Sequence, residues 1–240
     1  DNPPYGLYVA GVDPYRQGKS AYSSSLGSVY IYKRMHAIAG EKYQDMFVAS
    51  YCARPDKKET WENQARYLIK YFNARTLCEN DEISFIDHMI AKGDSQYLER
   101  QPDWLKEIVP NTTVRRDFGI HRSSEKIRDF LHGCLKKYSE EIIASEVNED
   151  GEVISNTKGM AKILDPLLLE EMIQYNETGN FDRIIAAELA IGLAMKLDPI
   201  IGKVGAQDDV RLTAMHKNKK NKLFTKSRGV FSSSKHKIFS

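Results

Sequence analysis

The sequence predicts an α/β fold, a mixed five-stranded sheet flanked by helices. Three observations lead there. Three strand-like segments joined by short connections open the chain, a helical period takes over from Trp61, and strands and helices then alternate, giving the order β-β-β-α-β-α-β-α.

The first segment, Leu7–Asp13, is apolar on both faces, as suits the middle of a sheet, and Pro14 ends it because proline cannot continue a ladder. A polar loop rich in Gly and Ser follows. Ser28–Lys33 and Met46–Tyr51 are rich in β-branched and aromatic residues, and their short connections predict antiparallel neighbours. Trp61, Ala65, Leu68, Ile69 and Phe72 then fall on one face of an amphipathic helix. A short strand over Ala74–Cys78 ends at Glu79-Asn80-Asp81, and a second helix is expected over Glu82–Ala91, stopped near Gly93. Thr112–Gly119 supplies the fifth strand. Ile127, Phe130, Leu131, Cys134, Leu135 and Tyr138 repeat the helical stripe.

Beyond this core, Ile142–Ser155 alternates weakly about Asn148-Glu149-Asp150-Gly151, a hairpin-type turn. A helix is expected from Asp165 or Pro166 to about Asn176, with proline at a favoured early position. The last helix, Arg183–Lys196, has Asp182 as its expected N-cap and is apolar almost all round, so it is expected to be buried on more than one side. Residues 1–198 thus read as one domain with an insertion at 141–180, and residues 199–240 as a C-terminal extension.

Composition narrows the function classes. With 41% hydrophobic and 28% charged residues, the 240-residue chain is globular rather than disordered. No apolar run reaches the roughly 18–20 residues that span a bilayer, and Ile184–Met195 is too short and holds Glu188. The opening Asp1-Asn2-Pro3-Pro4 lacks the basic start and apolar core of a secretory signal, and without an initiator Met the chain is expected to be part of a longer protein. Cys52, Cys78 and Cys134 form no CxxC pair, which argues against a zinc site or a disulfide framework and for reduced thiols in a cytosolic protein. The net charge of +2 is uneven: His216–Ser240 holds eight Lys/Arg and no acid, leaving 27 basic against 33 acidic residues elsewhere. Such a basic tail, with only scattered apolar residues, is expected to be mobile in isolation. It reads as a solubilising end or as an adaptor for DNA or another partner.

The acids carry the chemistry. If the fourth strand returns parallel to the first, Asp13 and Glu79 stand side by side at carboxyl ends of adjacent strands, where ligands bind in open α/β sheets. Paired carboxylates repel, so one holds a proton or a cation fills the gap, and all-oxygen ligation suits Mg²⁺ or Mn²⁺. Asp182, at the start of a packed helix, is placed to close the site. Taken singly each acid has a plainer reading, as a strand-ending turn residue, a polar loop start and a helix cap. Arg16, Lys19, Arg122 and Lys126 are candidates to hold phosphates, and His121 lies in the same loop as Arg122. Gly18-Lys19-Ser20 is no phosphate-binding loop, because the required glycine five positions before Gly18 is Asp13.

Gly11-Val12-Asp13-Pro14 followed by Leu26–Ile31, Val48–Tyr51 with Ala53-Arg54-Pro55, Tyr71–Ala74 running into Cys78-Glu79-Asn80, Gly119-Ile120 with Ser124–Ile127, and Phe181–Ala187 come in a distinctive series. Over about Gly6–Met195 the series resembles the ribonuclease H-like nuclease domain of tailed-phage large terminases. Many of these relatives place two adjacent acids where Asn180-Phe181-Asp182 stands here.

The resemblance implies a nuclease that cuts concatemeric viral DNA during genome packaging with little sequence preference, using Asp13, Glu79 and Asp182 to hold two divalent cations. It implies as partners double-stranded DNA, an upstream ATPase domain of the same protein, the portal ring and the small terminase subunit, in the host cytoplasm at the procapsid and away from any membrane. Two alternatives remain open: a transposase or integrase of the same fold, and a non-cleaving DNA- or portal-binding module of the packaging motor.

Overall fold

A computed structural model describes residues 3–16, 25–35, 44–110, 117–176 and 179–197. Lys19, the Gly18–Ser20 loop and the basic tail lie outside the described residues. Every described element belongs to one unit, Asp1–Ile200.

Strands β1 (Tyr8–Asp13), β2 (Gly27–Lys33) and β3 (Met46–Ala53) form an antiparallel meander. Helix α1 (Lys58–Tyr71) crosses over to β4 (Arg75–Cys78), which pairs parallel with β1, so the order across the sheet is β3-β2-β1-β4. The period-two alternation of the strands sorts their side chains into two cores. Ala10, Val12, Val29 and Ile31 face α1, whose stripe Trp61, Ala65 and Ile69 is fully buried, and α2 (Ser84–Ala91) joins them through Phe85, Ile86 and Met89. Val9, Tyr30, Tyr32 and Leu77 face the other way, into a core completed by the single-turn α3 (Leu105–Ile108) and by α4 (Glu125–Glu140). The sheet is therefore mixed and covered on both faces.

The insertion follows α4. Strands β5 (Ile142–Val147) and β6 (Val153–Lys158) form a separate two-stranded ribbon, and α5 (Pro166–Gln174) begins with Pro166 after Asp165, whose side chain accepts a hydrogen bond from the Leu167 N–H. All twelve ribbon residues are exposed.

The last helix, α6 (Asp182–Lys196), lies directly on β1. A Cβ added at Gly11 would stand 1.9 Å from the Ala186 carbonyl oxygen and 2.5 Å from the Ala190 nitrogen. Only glycine in the strand, opposed by alanines on the helix, permits this approach. On the far side Gly192 meets Leu131 of α4. The small residues of α6 thus serve contact on two sides.

One expectation lies mostly outside the described residues, and another needs correction. Of the expected fifth strand, Thr112–Gly119, residues 112–116 lie outside the described residues; Phe118 forms an isolated bridge with Arg100, and Ile120, just beyond, one with Glu79, so the described sheet has four strands. At Gly119 a φ of +76° turns the chain out of extended geometry just where it passes the Cys78 carbonyl. Asp182 is not the N-cap of α6. It lies inside the first turn, and Glu171 of α5 does the capping, its Oε2 accepting the backbone N–H groups of Arg183 and Ile184 at 3.1 and 3.3 Å.

Candidate functional site

The parallel pairing of β1 and β4 sets Val12 opposite Cys78, and the Glu79 N–H donates to the Val12 carbonyl at 2.9 Å. Asp13 and Glu79 therefore leave neighbouring strands at the same edge, and their carboxyls share a hydrogen bond. Asp13, two residues beyond Gly11, points to the α6 face. It is 7% exposed. Burial pushes its carboxyl well above the usual range; Glu79 and then Asp182 push the same way, and only Arg122 opposes.

Asp182 is also buried, and burial raises its carboxyl too, although three hydrogen bonds resist. They come from the Leu26 N–H at 2.7 Å, the Ser25 hydroxyl at 3.2 Å and the Asn180 amide at 3.0 Å. The Asn180 side chain, two residues before Asp182, thus steadies the carboxylate from its own loop. Because Glu171 satisfies the start of α6, Asp182 is left to fasten the chain entering β2.

The four basic candidates fare differently. Arg16 is exposed beside the site, with Nη2 3.5 Å from the Asp81 carbonyl oxygen. Lys19 lies outside the described residues. Lys126 is exposed on the first turn of α4, and no contact among the described residues joins it to the acids. Arg122 is no surface cation. It is 7% exposed, and its Nη2 donates to Glu188 of α6 at 2.6 Å. This partner, 66 residues away in sequence, was not anticipated.

Other groups at the site were not anticipated. Arg54 spans the loop that carries Ser25, donating to the Ser25 carbonyl at 2.6 Å and the Arg16 carbonyl at 3.4 Å while its guanidinium lies over the Tyr15 ring. His121 pairs with Asp81 through Nδ1. Glu188, 1% exposed, accepts from Arg122 and from His132 Nδ1 at 2.9 Å. The signal for Glu188 was present in the sequence: a carboxylate in a helix apolar all round must find a buried cation.

The donor set fits a divalent cation at Asp13 and Glu79. Asp13 is a buried carboxyl with Glu79 and Asp182 as acidic neighbours, a set of hard oxygen donors of the kind that suits Mg²⁺ or Mn²⁺. Among the described residues no three acid, histidine or cysteine groups are gathered at ligand spacing. Asp13 and Glu79 form the tight part, and Asp182 is turned towards Leu26 and Ser25.

No protein-family model matches the chain, and none of the curated proteins matches it.

Proposed function

We propose that the chain is a divalent-cation-dependent DNA endonuclease with a ribonuclease H-like core, acting as the nuclease of a phage genome-packaging terminase. One observation carries the reading: Asp13 and Glu79 end adjacent parallel strands with their carboxyls in contact, and Asp182 opens the helix packed on the first of those strands. The strand order, an antiparallel meander whose first strand also pairs parallel with the fourth, supports the fold assignment. The sequence resemblance over Gly6–Met195 supports the packaging role.

The residues that would hold the two divalent cations are Asp13, Glu79 and Asp182. When bound, a cation pair supplies Lewis acidity for phosphodiester hydrolysis, lowering the pKa of the attacking water and stabilising the leaving 3′ oxygen. Water attacks phosphorus, the P–O3′ bond breaks, and a 5′-phosphate and a 3′-hydroxyl result. Glu79 is fixed by its backbone bond to Val12, Asp13 by the sheet, and Asp182 by Leu26 and Ser25, so the acids are held before DNA arrives. Arg16 and Arg54 stand on the solvent side, where phosphates would approach. Phosphate-dominated contact accords with cutting of low sequence preference. Double-stranded DNA, an upstream ATPase domain, the portal ring and the small terminase subunit are the partners of this reading, and the host cytoplasm, at the procapsid, is its location.

A second reading has an observation in its favour. Both Asp182 oxygens are engaged by local donors, which suits a non-cleaving DNA- or portal-binding module of the same motor. Mn²⁺-dependent nicking of supercoiled plasmid separates the two. The nuclease reading expects cleavage by the wild-type chain and none by folded Asp13→Asn, Glu79→Gln or Asp182→Asn. Full activity in folded Asp13→Asn overturns it, as does a wild-type chain that binds DNA without cutting. Strand transfer instead of hydrolysis would move the assignment to the integrase class.

A further inference from the structure

We propose that Arg122 is a positioning residue of the cation site, a fixed positive charge behind Asp13 that is clamped by Glu188 and sets how tightly the carboxylates hold a cation. The inference rests on the nuclease reading and deepens it.

The geometry has three parts. Arg122 follows Ile120, whose N–H donates to the Cys78 carbonyl and whose carbonyl accepts the Asn80 N–H, both at 2.9 Å, so the loop bearing Arg122 is stitched to the strand end that presents Glu79. Glu188 sits on α6 just past Ala186 and Ala187, in the stretch pressed on Gly11 of β1, and Asp13 points to that face. Arg122 thus occupies the angle between α6 and the ends of β1 and β4. Its anchorage leaves no freedom to swing outward: Nη2 is bound to Glu188, its own carbonyl accepts from Arg128 Nη1 at 3.1 Å, and Nε is buried without a hydrogen-bond partner among the described residues. Behind it, Glu188 is gripped from the opposite side by His132, whose ring stacks on Tyr175 at 4.6 Å between centroids.

A charge that cannot move outward cannot serve as a phosphate clamp. It can offset part of the negative charge of the acids. A divalent cation entering the site must then compete with Arg122, and Glu188 moderates that competition by neutralising the guanidinium from behind. The arrangement gives opposite signs for the two members of one ion pair. Neutralising Arg122 tightens cation binding, and neutralising Glu188 weakens it. A purely structural ion pair, broken from either end, would weaken binding both ways.

The test is calorimetric titration of Mn²⁺ into the full 240-residue chain, with melting curves to establish folding. Arg122→Met is expected to bind Mn²⁺ about tenfold more tightly than wild type, Glu188→Gln several-fold more weakly, and Arg122→Lys within about twofold. Arg122→Met leaves a buried carboxylate facing only His132, so the comparison is repeated as Glu188→Gln against Arg122→Gln/Glu188→Gln, where the second is expected to bind more tightly. The dependence of duplex DNA binding on salt should keep its slope in Arg122→Met, since no phosphate contact is lost. Unchanged or weaker Mn²⁺ binding on loss of the Arg122 charge overturns the proposal, and so does a shallower salt slope, which would make Arg122 a phosphate contact. A wild-type chain that binds no Mn²⁺ overturns the nuclease reading together with the proposal. A wild-type chain that shows the expected signs in binding but never cuts DNA supports the proposal and overturns the nuclease reading alone.

Discussion

Asp13 and Glu79 lie on neighbouring parallel strands with their carboxyls hydrogen-bonded to each other, Asp13 buried and pushed well above the ordinary carboxylate range by burial first and by Glu79 second. A folded-state value raised above the unfolded one means that the folded chain keeps this proton longer. The associated stability is complete below about pH 4 and is lost as pH rises through the folded value. Asparagine cannot ionise, so Asp13→Asn should escape that loss. In cation-free buffer at pH 7 its Tm should exceed that of wild type, while Mn²⁺ should raise the wild-type Tm and leave the variant unmoved. Calorimetric scans from pH 4 to 8 with and without Mn²⁺ check this, and equal Tm profiles would contradict it.

Gly11→Ala tests the contact between strand and helix. The added methyl would meet the Ala186 carbonyl oxygen at 1.9 Å, and neither the central strand nor α6 can yield without moving Asp13 or Asp182. A cost above about 3 kcal/mol is expected from urea unfolding. A loss under 1 kcal/mol would show that α6 rides higher on the sheet.

Asp94 ties the loop after α2 to α1. It is 4% exposed and paired with Arg66 and Lys70. Burial alone would raise its carboxyl, but hydrogen bonds from Lys70 and Arg66 outweigh burial and hold it below the usual value. Its contribution is present above about pH 4 and is lost as pH falls through the depressed folded value. Asp94→Asn should cost about 1–2 kcal/mol at pH 7, discounted for the solvent reaching Lys70, and its difference from wild type should shrink on acidification. Urea unfolding at pH 7 and pH 3 measures both.

The basic tail from His216 onward lies outside the described residues, and its eight positive charges make a solution prediction. If the tail contacts DNA, truncation after Met215 weakens duplex binding and makes the dependence of log K on log salt shallower, because fewer counterions are released. The cleavage rate at saturating DNA stays the same, since the three acids remain. Identical salt slopes for intact and truncated chains would rule out DNA as the partner of the tail.

Legibility in the sequence followed the range of the interactions. β1 was readable because a strand covered on both faces is apolar at successive positions, and α1 because Trp61, Ala65 and Ile69 repeat at helical spacing. Asp13 and Glu79 could be brought together from strand order alone. Long-range partners could not be read. Nothing near Asp182 reveals that Glu171 caps α6 in its stead, and nothing near Arg122 reveals Glu188. The fifth strand was expected from local propensity, which carries no record of the turn that Gly119 makes against Cys78. The single turn of α3 is too short to show a period.

The ribbon of β5 and β6 buries none of its own residues, yet its roots already touch: the Gly159 N–H donates to the Glu141 carbonyl at 2.7 Å. A segment whose ends are joined by the fold and whose body adds nothing to either core behaves as a detachable cassette. Its length and sequence can drift, or be replaced by a two-residue turn or a whole foreign domain, without disturbing the acids, because closing so short a gap adds little loop entropy. Evolution can therefore rewrite what this part of the surface presents while the cluster of Asp13, Glu79 and Asp182 stays fixed.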